Sequence, residues 1–168
     1  MGKKISLIHS KNLASVDYAY ASKVPAGMDL LFLAGSCPLN AEGVVPHSND
    51  YWLQAKLCVE NLKVALKECN ASLKDVVYTR VLVASTSQND LVTAWEAIRE
   101  EFGEHDVPST LSGVTVLGYK NQLVELEAVA AIEKIQKGQP DKFRVALLLF
   151  IKRFLPELPV FLSQVQLV

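Results

Sequence analysis

Two glutamates, Glu125 and Glu127, stand two positions apart in an otherwise apolar, β-branched run. Residues two apart in a strand share a face and lie about 7 Å from one another. The alternation predicts a strand over residues 122–132 with these members on a continuous core face: Val124, Leu126, Ala128, Ala130 and Ile132. One carboxylate could act as a general acid or base. Alternatively, both carboxylates face solvent on the polar side of a half-covered sheet.

Another apolar run, residues 110–117, precedes the turn-like residues 118–121 and predicts a second strand next to the first. His105 stands beside Asp106 just before this run. The two could form an acid–base pair, because a carboxylate neighbour favours the protonated imidazole. His105 could equally be a solvated loop histidine.

The three cysteines have no CxxC spacing, and the three histidines are scattered. No metal site and no cofactor are therefore predicted. Cys58 and Cys69 fall on the apolar face of a predicted helix, whereas Cys37 lies in a turn after a strand and could be exposed and reactive. No apolar segment of the signal-peptide kind follows Met1, so a cytoplasmic, reducing location is expected.

Composition indicates an ordinary globular protein of 168 residues, 50% hydrophobic and 21% charged. Its 17 Lys and Arg residues balance 18 Asp and Glu residues, which gives a net charge of -1. A surface that follows a phosphate backbone needs a basic excess. The sequence therefore predicts no nucleic-acid partner.

Strands and helices are predicted in the order ββ(β)αβαββ. The strands cover residues 5–9, 18–24, 30–35 and 75–85 before the two described above. One helix begins at residues 48–50, which offer N-caps, and ends near Asn70. Its apolar stripe comprises Ala55, Cys58, Val59, Leu62, Ala65, Leu66 and Cys69. The other helix starts with a capping box of Ser87 and Asp90 and ends at Gly103.

Two helices on one face of a mixed sheet leave the other face uncovered. The apolar side chains of Val77, Val81 and Val83 are expected on that uncovered face. An exposed apolar face of this kind favours self-association.

The chain resembles the Rid/YjgF family from about residue 16 to residue 133. The resemblance is carried by residues 18–21, 31–39, 59–63, 103–111 and 123–127, in the family's order and spacing. It implies an α+β, chorismate-mutase-like fold, assembled as a homotrimeric barrel with small-molecule pockets at the subunit interfaces. Residues 1–133 would form this domain.

Members of the family that are enzymes hydrolyse reactive enamines and imines, without a cofactor, to a carbonyl compound and ammonia. By resemblance, Glu125 corresponds to the catalytic glutamate that positions water. The residues that correspond to the substrate site are Tyr18, Gly35, Ser36, Ser109 and Thr110. Tyr119 could cap the same cleft, or pack on the surface as a turn tyrosine.

Pro108 stands where the deaminating members carry an arginine that binds the substrate carboxylate, and Trp95 replaces a frequent asparagine. The connection between Thr110 and Glu125 also looks about two residues longer than in those members. Deamination is the leading expectation. The alternatives are a non-catalytic ligand-binding trimer and a hydrolase for a substrate without a carboxylate. The candidate replacement cations are Arg80, Arg99, Lys120 and Arg144.

Residues 134–168 form a hydrophobic C-terminal extension beyond the resemblance. Its longest apolar run, residues 145–151, is far shorter than the roughly 20 residues that span a bilayer, so no membrane span is predicted. The extension could be a short helix packed on the domain or a neighbouring subunit, a peripheral contact with a membrane or partner, or a segment with no selected role.

Overall fold

The computed structural model describes residues 4–134, which alternate strands and helices in the predicted order. The strands are β1 (Ser6–Ile8), β2 (Ala21–Lys23), β3 (Met28–Phe32), β4 (Val76–Val83), β5 (Ser109–Gly113) and β6 (Val124–Glu133). The helices are α1 (Tyr51–Glu68) and α2 (Gln88–Phe102), with a 3-10 turn at Leu73–Asp75 before β4. The predicted C-terminal extension lies outside the described residues, apart from Lys134.

Four strands form a mixed sheet in the order β3-β6-β4-β5, and β1 and β2 form a separate antiparallel pair. β6 runs antiparallel to both β3 and β4, whereas β4 and β5 are parallel. The predicted α+β class with a mixed sheet and two helices is confirmed.

β5 and β6 are not neighbours, so the prediction of two adjacent strands joined by a tight turn is wrong. β5 ends at Gly113, and residues 114–123 carry the chain past β4 to its other side. β5 pairs in parallel with β4, which requires a long crossover, and α2 supplies it. β3 also begins and ends earlier than predicted, at Met28 and Phe32.

α1 begins at the predicted cap, since the Asp50 side chain accepts a hydrogen bond from the Leu53 amide at 2.9 Å. It ends at Glu68, and Asn70 then adopts a left-handed backbone with φ of 56°, as expected of a helix stop. Cys69 is therefore beyond the last helical turn and is exposed. Its prediction as a core residue is wrong.

α2 begins after Ser87 and ends at Gly103, as predicted, but the capping box does not form. The Ser87 side chain makes no cap hydrogen bond. Instead, the Ser85 hydroxyl donates to Asp90 at 2.6 Å and accepts from the Ser87 amide at 2.9 Å. Ser85, two residues before the cap, thus makes the hydrogen bond to Asp90 that sequence spacing assigned to Ser87.

The helices cover the sheet face that carries Val81 and Val83, so the prediction that these residues lie on the uncovered face is wrong. Val77 is also buried, at a bulge between Val76 and Tyr78. The uncovered face of β4 carries Tyr78, Arg80 and Leu82 by alternation from these positions. A charged residue such as Arg80 would be costly to bury under the helices without a partner, which explains the orientation.

The uncovered face is nevertheless partly apolar, as predicted. Leu30 is 49% exposed and Phe32 is 78% exposed on β3. Glu125 and Glu127 of β6 share this face, and the alternating residues of β6 from Val124 to Ala130 are buried beneath the helices. The predicted assignment of the two faces of β6 is confirmed from Val124 to Ala130, but Ile132, a predicted core residue, is half-buried and Ala131 is fully buried.

Gln54 of α1 is fully buried and fastens the connection between β5 and β6 to the helix. Its amide nitrogen donates to the carbonyl oxygens of His47 at 3.0 Å and Asn121 at 2.9 Å. Its side-chain oxygen accepts from the Leu123 amide at 2.8 Å. The start of β6 is therefore held by a side chain that is far from it in sequence.

The Gln54→Met variant is expected to lose about 2 to 4 kcal/mol of unfolding free energy, because it leaves buried backbone groups without partners. Urea denaturation monitored by circular dichroism measures this loss. Gln88→Met is the matched control, since Gln88 is exposed, and should change stability by less than about 0.5 kcal/mol. Equal effects of the two substitutions would contradict the role of Gln54.

Candidate functional site

Glu125 is the second residue of β6, opposite Leu82 of β4 on the uncovered face. Its Oε2 atom accepts a hydrogen bond from Gln122 Nε2 at 3.1 Å and a weaker one from Cys37 Sγ at 3.7 Å. Within residues 4–134, Glu125 takes part in no ion pair. Neutral donors thus hold one oxygen of the carboxylate, and Oε1 lies outside both hydrogen bonds.

Gly35 lies directly against this carboxylate. A Cβ atom at Gly35 would overlap Oε1 of Glu125 and stand 2.7 Å from its Cδ. The next residue, Ser36, fixes the approach, because it exchanges backbone hydrogen bonds with Leu126 at 2.9 and 3.1 Å. A side chain at position 35 would therefore displace the Glu125 carboxylate from this position.

Cys37 completes the turn beside Glu125 and is half-buried, which does not favour the alternative of an exposed, reactive thiol. Asn61 of α1 holds the turn by donating to the carbonyl oxygens of Cys37 at 2.8 Å and Leu39 at 3.0 Å. Burial, and then the negative charge of Glu125, raise the pKa of the Cys37 thiol. The thiol is a hydrogen-bond donor to the carboxylate, and its raised pKa opposes nucleophilic reactivity.

A second group of predicted site residues lines one cavity of about 300 Å³. Its walls are Tyr18, Trp95, Ser109 and Leu111. The rings of Tyr18 and Trp95 meet edge to face, with centroids 6.1 Å apart. This volume falls at the lower end of the range for small-molecule sites.

Asp17 supports the aromatic wall of this cavity. Its Oδ2 atom accepts a hydrogen bond from Trp95 Nε1 at 3.0 Å and lies 3.5 Å from Arg99 Nε. Arg99 is one helical turn after Trp95 and is half-buried. No local pattern marks Asp17 as a site residue, because its partners Trp95 and Arg99 lie on a helix that is distant in sequence.

Pro108 and the first two residues of β5, Ser109 and Thr110, have different hydrogen-bond partners. Ser109 faces the helices, where its hydroxyl bonds Thr79 Oγ1 at 2.6 Å. Thr110 faces the uncovered side and bonds the Tyr78 hydroxyl at 2.9 Å. Pro108 contributes its carbonyl oxygen, which accepts from the Thr79 amide at 3.1 Å. Ser109 and Thr110 therefore do not share one cavity in a single subunit.

Tyr119 lies in the turn before β6, is 49% exposed and does not line the cavity of Tyr18. Its amide donates to Gln122 Oε1 at 3.0 Å. Gln122, which is buried and contacts Glu125, was not among the predicted site residues. A lone glutamine before a strand has no spacing that marks it as functional.

His105 and Asp106 do not form the acid–base pair considered above. The His105 ring bonds the carbonyl oxygen of Val76 at 2.8 Å, whereas Asp106 lies 3.3 Å from His9. The solvated alternative is also wrong, because His105 is half-buried against β4. His105 and Asp106, although adjacent in the loop, therefore contact different residues.

The predicted site residues thus form two groups on opposite sides of the sheet. Glu125 and the Gly35–Ser36 turn lie at the uncovered face, and the cavity of Tyr18, Trp95 and Ser109 lies on the helix side at the edge strand β5. One subunit alone does not surround a single ligand with both groups.

Comparison with known proteins shows the family. The sequence model described as Endoribonuclease L-PSP matches residues 11–132. A RutC family protein of Pyrococcus abyssi is 34% identical over 111 residues, which are 66% of this chain and 84% of that relative. A RutC family protein of Pyrococcus horikoshii is 30% identical over 124 residues, which are 74% of this chain and 95% of that relative. The chain belongs to the Rid/YjgF family.

Solved structures agree with the fold of this Rid/YjgF protein. The Rid family protein YyfB of Yersinia pestis is 23% identical, and the match covers 77% of this chain and 99% of that one with a TM-score of 0.69. E. coli TdcF, solved with bound serine, is 26% identical. That match covers 77% of this chain and 99% of the TdcF chain, with a TM-score of 0.54.

Neither helix in the described part of this Rid/YjgF protein has the length and apolar character needed to cross a bilayer. Over the same residues, 4–134, no three His, Cys, Asp or Glu side chains are grouped to share a metal ion.

The three thiols of this Rid/YjgF protein should differ in alkylation rate near neutral pH. Exposed Cys69 is expected to react with iodoacetamide first, Cys37 much more slowly because its pKa is raised, and buried Cys58 last. Mass spectrometry of timed samples resolves the three sites. Glu125→Gln should accelerate labelling of Cys37, because it removes a negative charge that raises the thiol pKa. An unchanged Cys37 rate in that variant would contradict the contact.

Proposed function

We propose that this protein is a cytoplasmic, homotrimeric enzyme that hydrolyses a small enamine or imine to a carbonyl compound and ammonia without a cofactor. The supporting observation is the carboxylate of Glu125, which neutral donors hold at one oxygen without an ion pair among the described residues. A carboxylate with no cationic partner keeps its capacity to accept a proton from water. Three free thiols in the described chain are in keeping with a reducing compartment.

The proposed chemistry is addition followed by elimination. Glu125 accepts a proton from water as the water oxygen bonds to the imine carbon, and the C=N π electrons pass to nitrogen, which is protonated. The carbinolamine then loses ammonia as its hydroxyl oxygen forms the C=O bond and gives up its proton. An enamine first takes a proton on carbon to become the imine. Glu125 acts as base and then as acid.

A second copy of the chain would complete the site. Glu125 and the cavity of Tyr18 and Trp95 lie on opposite sides of one sheet, so a ligand between them requires another subunit. The exposed Leu30 and Phe32 on the uncovered face favour such packing, because burial removes their apolar surface from water. The family resemblance supports three copies around a barrel. Serine bound to E. coli TdcF supports a ligand of amino-acid size.

A substrate without a carboxylate is the second candidate. Pro108 cannot bind a carboxylate as an arginine does, and Arg80 and Arg99 are paired with Glu127 at 3.1 Å and Asp17 at 3.5 Å. Those pairs reduce the positive charge that either arginine can offer. RNA cleavage, which the description of the family model names, gains no support from a net charge of -1.

Glu125→Gln is expected to lower kcat about 100-fold or more, because the amide cannot accept the proton of water. The assay generates 2-aminoacrylate in situ with a serine dehydratase and follows keto-acid release. Glu127→Gln is the matched control: it lies on the same strand and face, is paired with Arg80, and should retain activity within about threefold.

Equal activity of wild type and Glu125→Gln would contradict the proposed role of Glu125. If the wild type does not accelerate the reaction, the same assay with an imine that lacks a carboxylate separates the second candidate from a binding protein. A wild type inactive on both substrates would overturn the proposal of an enzyme.

A further inference from the structure

Gln122 is 5% exposed, and its side chain is hydrogen-bonded at both ends. Its Oε1 accepts from the Tyr119 amide at 3.0 Å. Its Nε2 donates to the carbonyl oxygen of Val124 at 3.2 Å and to Glu125 Oε2 at 3.1 Å. Rotation of this amide would break all three hydrogen bonds, so its orientation is fixed.

The backbone around Gln122 is fixed as well. Its own amide donates to the Tyr119 carbonyl at 3.1 Å, which closes the turn. On either side, Gln54 binds the Asn121 carbonyl and the Leu123 amide. The donor that reaches Glu125 thus stands on a segment anchored to α1, and α1 belongs to the core.

We propose that Gln122 is the positioning residue for Glu125, fixing the plane of its carboxylate so that the second oxygen stays free to act on water. It binds Oε2 and leaves Oε1, next to Gly35, as the atom that accepts the proton. The inference rests on the proposed function, which it deepens by assigning the reacting atom. Rotation of the carboxylate about its terminal bond is soft, so without this donor only the longer contact from Cys37 would hold the plane of the carboxylate.

The charged and titratable groups around Glu125 do not take over this role. Cys37 donates to the same oxygen, but the contact is longer, at 3.7 Å. Burial raises the pKa of Cys37 and of Cys58, so both thiols are neutral near pH 7. Glu127 shares the face of Glu125 and is compensated by Arg80. Among these groups, the Gln122 amide is the strong donor that does not titrate.

Two variants test the assignment. Gln122→Met removes both ends of the amide, whereas Gln122→Asn keeps an amide that is one methylene too short to reach Glu125. In both, kcat should fall about 10- to 100-fold through misplacement of the base, with little change in KM. The acidic limb of the kcat/KM profile should move to higher pH, because the ionised carboxylate loses a hydrogen bond. Thermal unfolding establishes that the variants compared are folded.

A folded variant with wild-type kcat and an unmoved acidic limb would overturn the proposal. A fall in kcat with no movement of the limb would also overturn it, because it indicates a purely structural role. Isotope-edited infrared or NMR titration of labelled Glu125 gives a readout independent of turnover. A shifted titration in Gln122→Met, in a protein with no hydrolase activity, would retain the positioning role and reject the proposed function instead. An unshifted titration would reject the positioning role.

Discussion

The covering of one sheet face by α1 and α2 determines where every candidate functional group lies. Once Val81, Val83 and Leu126 are buried beneath the helices, strand alternation sends Arg80, Glu125 and Glu127 to the other face. The same alternation sends Ser109 toward the helices and Thr110 away from them. The division of the candidate site into two groups is therefore a consequence of core formation.

Two carboxylates on one strand and one face acquire different surroundings. Glu127 lies opposite Arg80 and forms an ion pair with it. Glu125 lies opposite Leu82 and receives hydrogen bonds from Gln122 and Cys37 instead. The ion pair with Arg80 offsets the negative charge of Glu127. The neutral donors orient the carboxylate of Glu125 without offsetting its charge. This difference is why we assign proton transfer to Glu125 and a surface role to Glu127.

Local signals in the sequence were sufficient for the helix caps at Asp50 and Gly103, for the order of elements and for the faces of β6. Each depends on residues close together in the chain. Strand pairing does not: the pattern of β5 and β6 fits neighbouring strands, yet β4 lies between them. Choosing the covered face of β4 likewise required knowing where the helices pack.

Buried amides were the other feature that sequence could not identify. Gln54 and Gln122 have no periodicity or motif, and each satisfies backbone groups that become inaccessible to water only after folding. The resemblance to the family predicts Glu125, Gly35 and Tyr18 as site residues. It did not indicate what holds Glu125 in place, because Gln122 lies outside the residues that carry the resemblance.

Subunit complementation tests the shared site most directly. Glu125→Gln and Tyr18→Ala copies, each impaired alone, are co-expressed with different tags, and mixed oligomers are isolated. If one copy supplies Glu125 and its neighbour supplies Tyr18, the isolated mixed trimers should recover about a third of the wild-type activity, because one of the three interfaces in each mixed ring joins two intact halves. Mixed oligomers that remain as impaired as the single variants would contradict a site completed between copies.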